Sequence, residues 1–166
     1  MKYRVTSGKL LVTARSRVHD TKTVWEKVTG DVEADAETLA SAGATATFRV
    51  DMTAFDAGDW LKNRKLRKDY EMDAHPTATF ELRALRDVVR DGPTFKATAD
   101  GVLRWRGKDV AITLAGEGKL DASGMAAKGT FELDIKRLGL QAPKLFMFKV
   151  DDEVAVEVSV VGAVVA

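Results

Sequence analysis

Cysteine is absent from this 166-residue chain and histidine occurs only twice. The sequence therefore contains no disulfide, no thiolate metal site and no cysteine nucleophile. Its histidines, His19 and His75, lack the spacing to other ligand residues that zinc sites use. Glycines stand singly, without the pattern of a phosphate-binding loop, a dinucleotide fingerprint or a glycine-flanked nucleophilic serine. We expect no metal and no cofactor.

An excess of either charge is also missing, since 26 Lys and Arg residues face 25 Asp and Glu residues and the net charge is +1. Such a chain has no overall field that attracts phosphate backbones, so we expect no nucleic-acid partner. Hydrophobic residues make up 45% and charged residues 31%, as in soluble globular proteins. The length suits one domain over residues 1–166 that buries roughly two-thirds of its unfolded surface.

Long apolar runs are absent too. No window approaches the roughly 18 to 20 consecutive apolar residues of a transmembrane helix. The first residues, Met1 to Thr6, lead directly into alternating polar and apolar positions, without the apolar stretch of a secretory signal. The sequence as it stands predicts a cytoplasmic location, whereas removal of a signal from a longer precursor would indicate the periplasm.

What the sequence does have is alternation of apolar and polar residues with period two, which is typical of strands with one buried face. The clearest case is Ala44 to Met52, where Phe48 and Val50 share the apolar phase. Eight segments of this kind are predicted as strands with apolar positions at Leu10–Val18, Val24–Val32, Ala44–Met52, Ala78–Ala84, Phe95–Trp105, Val110–Leu114, Ala127–Ile135 and Val154–Val160. Loops are expected at 34–43 and 137–152.

One segment departs from this period. Asp59 to Tyr70 has few β-branched residues and many good helix formers, so it predicts a short helix between the third and fourth strands. The whole pattern predicts an all-β fold, an eight-stranded antiparallel β-barrel, because closure removes the exposed sheet edges. A two-sheet sandwich is the main alternative.

The predicted inner faces combine small residues such as Ala97, Ala99 and Gly101 with large ones such as Phe80 and Trp105. Eight strands are just enough to enclose a ligand. The alternation of small and large residues equally suits a filled barrel. Periodicity alone leaves both the hollow and the filled interior open.

The predicted helix carries the densest basic run of the chain, from Lys62 to Lys68, beside Trp60 and Leu61. Such a helix is suited to peripheral contact with a membrane surface or an anionic head group. The alternative is a solvated face whose charges are balanced by nearby acidic residues.

Five short elements, in order, resemble the YceI-like family. They are Asp56-Ala57-Gly58, Leu66, Pro76 to Phe80, Gly101 to Gly107, and Ile135-Lys136-Arg137 followed by Leu138-Gly139-Leu140. The chain departs from the family pattern at Ala57, where Thr is usual, at Lys62, Asn63 and Lys65 in the helical segment, and at His75, where an aromatic residue precedes the proline.

The resemblance implies a lipocalin-like barrel that holds a polyisoprenoid or similar amphiphile, with no catalytic activity. Together with the inner faces, it predicts a binding or carrier protein for a polyisoprenoid, quinone-like or fatty molecule. The residues expected to contact this ligand are Phe48, Val50, Met52, Trp60, Leu61, Leu66, Phe80, Leu82, Leu103, Trp105, Ile112, Phe131, Leu133, Arg137, Leu145, Phe146 and Met147.

The mouth of the pocket is expected between the helix with Trp60 and the apolar loop with Phe146, because apolar residues there need cover. Lys62, Lys65 and Arg137 are expected to meet a polar head group. Arg137 could instead pair with a buried carboxylate.

Two other functions remain open from the sequence. One is an enzyme that acts on such a ligand, with His19, Asp20 or His75 as acid or base at the barrel rim. The other is a filled barrel that acts through its surface as a homodimer built on the helix and the loop from Leu138 to Phe148.

Overall fold

The computed structural model describes residues 1–141, 144–145 and 148–166, with side chains for all of these except 144–145 and 148–149. The strands are β1 (Lys2–Ser16), β2 (Thr21–Trp25), β3 (Val28–Ala34), β4 (Ala44–Asp51), β5 (Phe55–Asp56), β6 (Thr77–Asp91), β7 (Thr94–Trp105), β8 (Lys108–Asp121), β9 (Gly124–Asp134), β10 (Lys144–Leu145) and β11 (Phe148–Val165). The helices are α1 (Leu39–Ala42) and α2 (Trp60–Asp69), with 3-10 turns at Ala36–Thr38 and Ile135–Leu138.

Eight of these strands close into an antiparallel barrel. Their order is β1, β3, β4, β6, β7, β8, β9 and β11, and β11 pairs with β1 to complete the circuit. β2 pairs with the second half of β1, while β5 and β10 are short additions to β2 and β11. The predicted barrel is confirmed, and the sandwich is excluded because the circuit of pairings has no gap.

Alternation determines which side chains enter the barrel. In β4, Ala46, Phe48 and Val50 point inward while Thr45 and Arg49 point outward, as predicted. The hairpin between β7 and β8 turns on Arg106 and Gly107, whose φ angles of 57° and 71° suit a two-residue hairpin loop.

The predicted register is wrong in two places. The second segment was expected as one strand with Val24 inward, but the chain breaks at Glu26–Lys27, so Trp25 is buried instead. In β6 a bulge between Leu82 and Ala84 leaves Ala84 exposed. Each irregularity shifts the phase by one residue, and a shift of one residue moves every later side chain to the other face.

Both expected loops contain regular structure. Residues 34–43 include α1, whose Leu39 is buried. Within 137–152, Leu138 and Leu140 are buried and β11 already begins at Phe148. Burial of these leucines removes them from the dimer surface that was suggested for this loop.

Helix α2 forms where it was predicted. The Asp59 carboxylate accepts the Lys62 N–H at 2.8 Å, which caps the first turn. Leu66 is buried beneath the helix, and Tyr70 follows its last residue. No helix in the described ranges is long and apolar enough to cross a membrane.

Two apolar clusters close the two ends of the barrel. At the end we call the helix end, Leu66 and Met72 pack with Trp25, Trp105 and Ile135. At the opposite end, which we call the hairpin end, the second cluster contains Tyr3, Leu39, Val32, Leu120 and Met125. The core is thus concentrated at the ends, and the space between them forms the candidate site.

Candidate functional site

A cavity of about 300 Å³ occupies the barrel interior and reaches both apolar clusters. A packed protein core leaves few voids larger than one water molecule. A cavity of this size lies at the lower end of the range of roughly 300–1,000 Å³ that is usual for small-molecule sites. Its walls come from inward-facing side chains of all eight barrel strands. The interior is therefore hollow.

Glycines explain how the large inner residues leave this space open. The Phe80 ring lies where a Cβ on Gly101 would be, one strand away, and Phe48 lies 2.8 Å from the Cβ position of Gly30. Leu114 occupies the Cβ position of Gly129 in the same way. Because the neighbouring strand lacks a side chain at each point, the large group rests against the wall.

Two further rings at the helix end have their polar atoms satisfied. The Trp25 Nε1–H donates to the Met52 carbonyl at 3.2 Å, and the Trp105 Nε1–H donates to the His75 carbonyl at 2.8 Å. Buried tryptophans generally find such partners. Both rings can therefore contribute apolar surface without leaving an unpaired donor.

Tyr70, the residue after the last turn of α2, is part of the cavity lining. Burial, followed by the negative charges of Asp69 and Asp152, raises the pKa of the Tyr70 phenol, so the group stays protonated at neutral pH. Within the part of the chain that the structure describes, this hydroxyl has no hydrogen-bond partner.

The position of Tyr70 is fixed by contacts at the end of α2. Its N–H donates to the Leu66 carbonyl, and its own carbonyl accepts from Arg106 Nη1 at 2.6 Å. Arg67, one helical turn earlier, donates to the Thr53 carbonyl at 2.8 Å. These bonds attach the helix to the barrel rim, since Arg106 belongs to the β7–β8 hairpin.

The start of α2 is attached to the loop that precedes it. Asn63 Oδ1 accepts the Ala57 N–H at 2.5 Å, and Asp56 Oδ1 accepts the Gly58 N–H at 2.8 Å and an Asn63 Nδ2–H at 3.3 Å. The hydrogen bond from the Gly58 N–H, and to a smaller extent that from Asn63, lowers the pKa of the Asp56 carboxyl. Asn63, a departure from the family pattern, therefore has a structural role here.

Most residues that were expected to contact the ligand line the cavity. They are Phe48, Val50, Met52, Phe80, Leu82, Leu103, Trp105, Phe131 and Leu133. The specific expectation that Phe48, Phe80, Leu103 and Phe131 face the interior is confirmed. Their contact with a ligand stays a prediction.

Other expected site residues lie elsewhere. The expectation that Trp60 and Leu61 cover the core is wrong, because they are 71% and 51% exposed on the outer side of α2. Leu66 and Ile112 are buried in the helix-end cluster, behind the cavity lining. Arg137 is exposed and donates to the Ala111 carbonyl at 3.3 Å, so neither role expected of it is supported.

The expected polar mouth is only partly described. Lys62 and Lys65 form ion pairs with Asp59 at 3.9 Å and Asp69 at 3.0 Å along the helix. Neither lines the cavity. The expected contacts of Leu145, Phe146 and Met147 fall outside the residues and side chains that the structure describes.

Sequence reasoning missed some lining residues. Tyr70 was treated as the end of a helix, although a tyrosine four residues after Leu66 shares its buried face. Leu39 was assigned to a loop, and only the three-dimensional path of α1 brings it to the cavity. Val154 and Val156 were recognised as inward-facing but were not included among the contacts, although both line the cavity.

The alternative catalytic residues do not form a recognisable site. His19 and Asp20 are exposed in the β1–β2 turn, and the His75 carbonyl accepts from Trp105. None of the three lines the cavity. Among the described residues, no three His, Asp or Glu side chains lie together in a group that could hold a metal ion.

The comparison with protein families agrees with this geometry. The family model for the YceI-like domain matches residues 6–162, almost the whole chain. The chain belongs to the YceI-like family. No curated protein matches it in sequence.

Solved structures share the fold of this YceI-like domain. A polyisoprenoid-binding domain from Saccharophagus degradans, implicated in plant cell wall breakdown, has a TM-score of 0.78 at 13% identity, with 98% of each chain covered. BcnA from Burkholderia cenocepacia has a TM-score of 0.75 at 20% identity, over 93% of this chain and 95% of that chain. The Campylobacter jejuni YceI protein has a TM-score of 0.69 at 12% identity, over 90% and 88%.

Proposed function

We propose that this YceI-like domain binds and carries a polyisoprenoid in the barrel cavity, without catalysis by its own side chains. The observation that carries the proposal is the apolar cavity of about 300 Å³ in the barrel interior, which reaches both packed clusters. Family membership and the polyisoprenoid-binding domain among the structural neighbours support the same kind of ligand.

The cavity supplies the main source of affinity. Each methylene group that leaves water for an apolar interior contributes about 0.8 kcal/mol. Phe48, Phe80 and Leu114 lie against glycines of adjacent strands, so the wall offers wide apolar surfaces instead of projecting side chains. A long chain can follow such a surface without requiring a reactive residue.

The Tyr70 hydroxyl gives the ligand an orientation. It is the natural partner for a polar end group, because a hydrogen bond in an apolar cavity also relieves the cost of an unpaired donor. We therefore place the polar end of the ligand at the helix end and its tail toward Phe95 and Met125, which line the cavity at the hairpin end.

Native mass spectrometry tests the proposal directly. The protein is freed of lipid by organic extraction and refolding, and is then mixed separately with a polyprenol, a fatty alcohol of equal length and a quinone with a short isoprenoid tail. We expect a one-to-one complex with the polyprenol that survives competition from the other two. A stronger complex with the fatty alcohol or the quinone would redirect the ligand class, and no complex with any would overturn the proposal.

Replacing one inward and one outward alanine by leucine locates the binding site. Ala99 lines the cavity, whereas Ala115 is exposed on the outer face of β8. Ala99→Leu should weaken polyprenol binding by about tenfold or more, since it removes space where the ligand lies, while Ala115→Leu should bind as the parent does. Equal effects of the two substitutions would contradict binding inside the barrel.

A further inference from the structure

The outward face of α2 is unusual for its exposed apolar residues. Trp60 is 71% exposed and Leu61 is 51% exposed, although both belong to a helix whose opposite face packs on the barrel. Arg64 and Lys68 follow at intervals of four residues from Trp60 and are also exposed. We call these four residues, Trp60, Leu61, Arg64 and Lys68, the outer stripe.

The charges on the outer stripe are available to a partner. Arg64 lies 5.5 Å from the centre of the Trp60 ring, and neither Arg64 nor Lys68 forms an ion pair with any described residue. The nearby carboxylates are engaged elsewhere, since Asp59 and Asp69 pair with Lys62 and Lys65. The stripe therefore presents apolar surface and unpaired positive charge together.

Helix α2 carries the outer stripe on its solvent side and reaches the end of the cavity with its other side. The opposite face of the same helix buries Leu66, and Tyr70 at its end lines the cavity. Asn63 and Arg67 attach the helix to the segment between β4 and α2, and Arg106 attaches its end to the barrel rim, so α2 keeps this orientation. A surface that binds the stripe would be held next to the helix end of the barrel.

We propose that the outer stripe docks the protein on an anionic lipid bilayer, placing the helix end of the cavity against the membrane from which the ligand is taken. The uptake of the ligand from the membrane rests on the proposed function, whereas the docking on the bilayer does not depend on it. Tryptophan is favoured at the membrane interface, and each Lys or Arg near an anionic surface adds to the attraction. The apolar residues and the positive charges of the outer stripe lie on one helix face, and together they complement the apolar interior and the negative head groups of an anionic bilayer.

The same chemistry argues against a second copy of the chain as the occupant. A two-fold symmetric dimer built on this face would bring the stripe of one copy against that of the other. Arg64 and Lys68 would then face their own counterparts, and like charges in a contact are unfavourable. A bilayer of anionic lipids carries no such conflict.

Trp60 provides the reporter for the test. Trp25 and Trp105 are each only 6% exposed, so a change of tryptophan emission on vesicle binding comes mainly from Trp60. Vesicles of phosphatidylcholine alone and of phosphatidylcholine with phosphatidylglycerol in equal parts are titrated into the protein. We expect cosedimentation and a blue shift with the anionic vesicles, both weakened by added salt.

Paired variants assign the surface. Arg64→Gln with Lys68→Gln should weaken vesicle binding by about tenfold or more, whereas Lys2→Gln with Lys9→Gln, exposed on β1, should weaken it much less. Trp60→Ser with Leu61→Ser should also lose cosedimentation. Val89→Ser with Val161→Ser, which alters two other exposed apolar residues, should retain it.

Several results would overturn the inference. One is no binding to anionic vesicles, and another is equal loss in the stripe variants and their controls. A blue shift that depends on protein concentration without vesicles, with a dimer in sedimentation, would assign the stripe to self-association. Polyprenol binding by native mass spectrometry separates the two proposals: the stripe variants should still bind it in detergent-free solution, and vesicle docking without polyprenol binding would instead contradict the proposed function.

Discussion

At the scale of single residues, Tyr70 tests the proposed orientation of the ligand, because it is a lining residue with a buried ring and a hydroxyl group. Its hydroxyl is placed by the Leu66 and Arg106 contacts of its backbone, not by a partner of its own in the described part of the chain. Tyr70→Phe removes that donor and keeps the ring. We expect a polyprenol to bind several-fold more weakly, because a typical hydrogen bond contributes about 0.5–1.5 kcal/mol.

The control ligand for this prediction is a hydrocarbon that has the chain length of the polyprenol but lacks its hydroxyl group. Its binding is measured by competition in native mass spectrometry. It should bind Tyr70→Phe as well as the parent, or better, since no donor is left unpaired. Equal weakening for alcohol and hydrocarbon would mean that the substitution only disturbs packing, and would remove the assigned orientation of the ligand.

Glu153 shows a residue-scale effect on the outside of the barrel. A hydrogen bond to Glu132 and the like charge of that carboxylate raise the pKa of Glu153. A folded-state pKa above the unfolded value means that this group contributes stability at low pH and that the contribution is lost as pH rises through the folded pKa. At neutral pH the pair is therefore repulsive.

Glu153→Gln should consequently raise the melting temperature at pH 7 to 8 by a small amount, on the order of 1–2 °C. The gain should disappear as pH falls below the ordinary glutamate pKa, where the parent carboxyl is itself protonated. Thermal unfolding at several pH values measures this, with Glu157→Gln, which faces Thr130 across the same strand pair, as the control. A gain that is constant with pH would contradict the electrostatic cause.

At the scale of elements, the cavity stays open because a glycine on one strand makes room for a large side chain on the adjacent strand. A Cβ at position 101 would collide with the Phe80 ring and lie 2.6 Å from the Glu81 carbonyl oxygen, whereas a Cβ at Gly116 would meet nothing closer than 3.6 Å. Gly101→Ala should therefore destabilise the fold by about 1–3 kcal/mol, the usual cost of overpacking.

Gly116→Ala, on the neighbouring strand β8, is the control for this prediction and should be close to neutral. Denaturant unfolding compares the free energies, and native mass spectrometry shows whether the displaced Phe80 ring also reduces polyprenol binding. If Gly101→Ala is as stable as Gly116→Ala, the ring does not depend on the glycine for its position.

Strand periodicity predicted most elements because one face of each strand is buried. It predicted the inward face of β4 and the span of α2 correctly. It failed at Trp25 and Ala84, since a two-residue break and a bulge shift the phase without a clear signal in composition. Whether a large inward residue leaves space depends on its neighbour on the adjacent strand, as Phe80 depends on Gly101. Such pairs are set by the register between strands, which is a property of the three-dimensional structure.

At the scale of the whole molecule, the tightest packing of the barrel lies at its two ends. The largest fully buried side chains, among them Tyr3, Leu39 and Met72, belong to the end clusters and not to the middle of the barrel. An empty middle forgoes the dispersion contacts that a packed core would have. A ligand that binds only the folded protein restores them and raises stability in proportion to the logarithm of its concentration.

Ala99→Leu makes this relation testable. In the empty protein the added methylenes fill space in the cavity, and cavity filling commonly adds about 0.5–2 kcal/mol to the free energy of unfolding. With excess polyprenol the parent should have the larger free energy of unfolding, because it gains the binding free energy whereas the variant binds weakly. Denaturant unfolding of both proteins with and without polyprenol measures the four values, and Ala115→Leu should follow the parent in each. If Ala99→Leu destabilises the empty protein, the inward position beside Leu114 has no room for a larger side chain, and the cavity there is not open to a ligand.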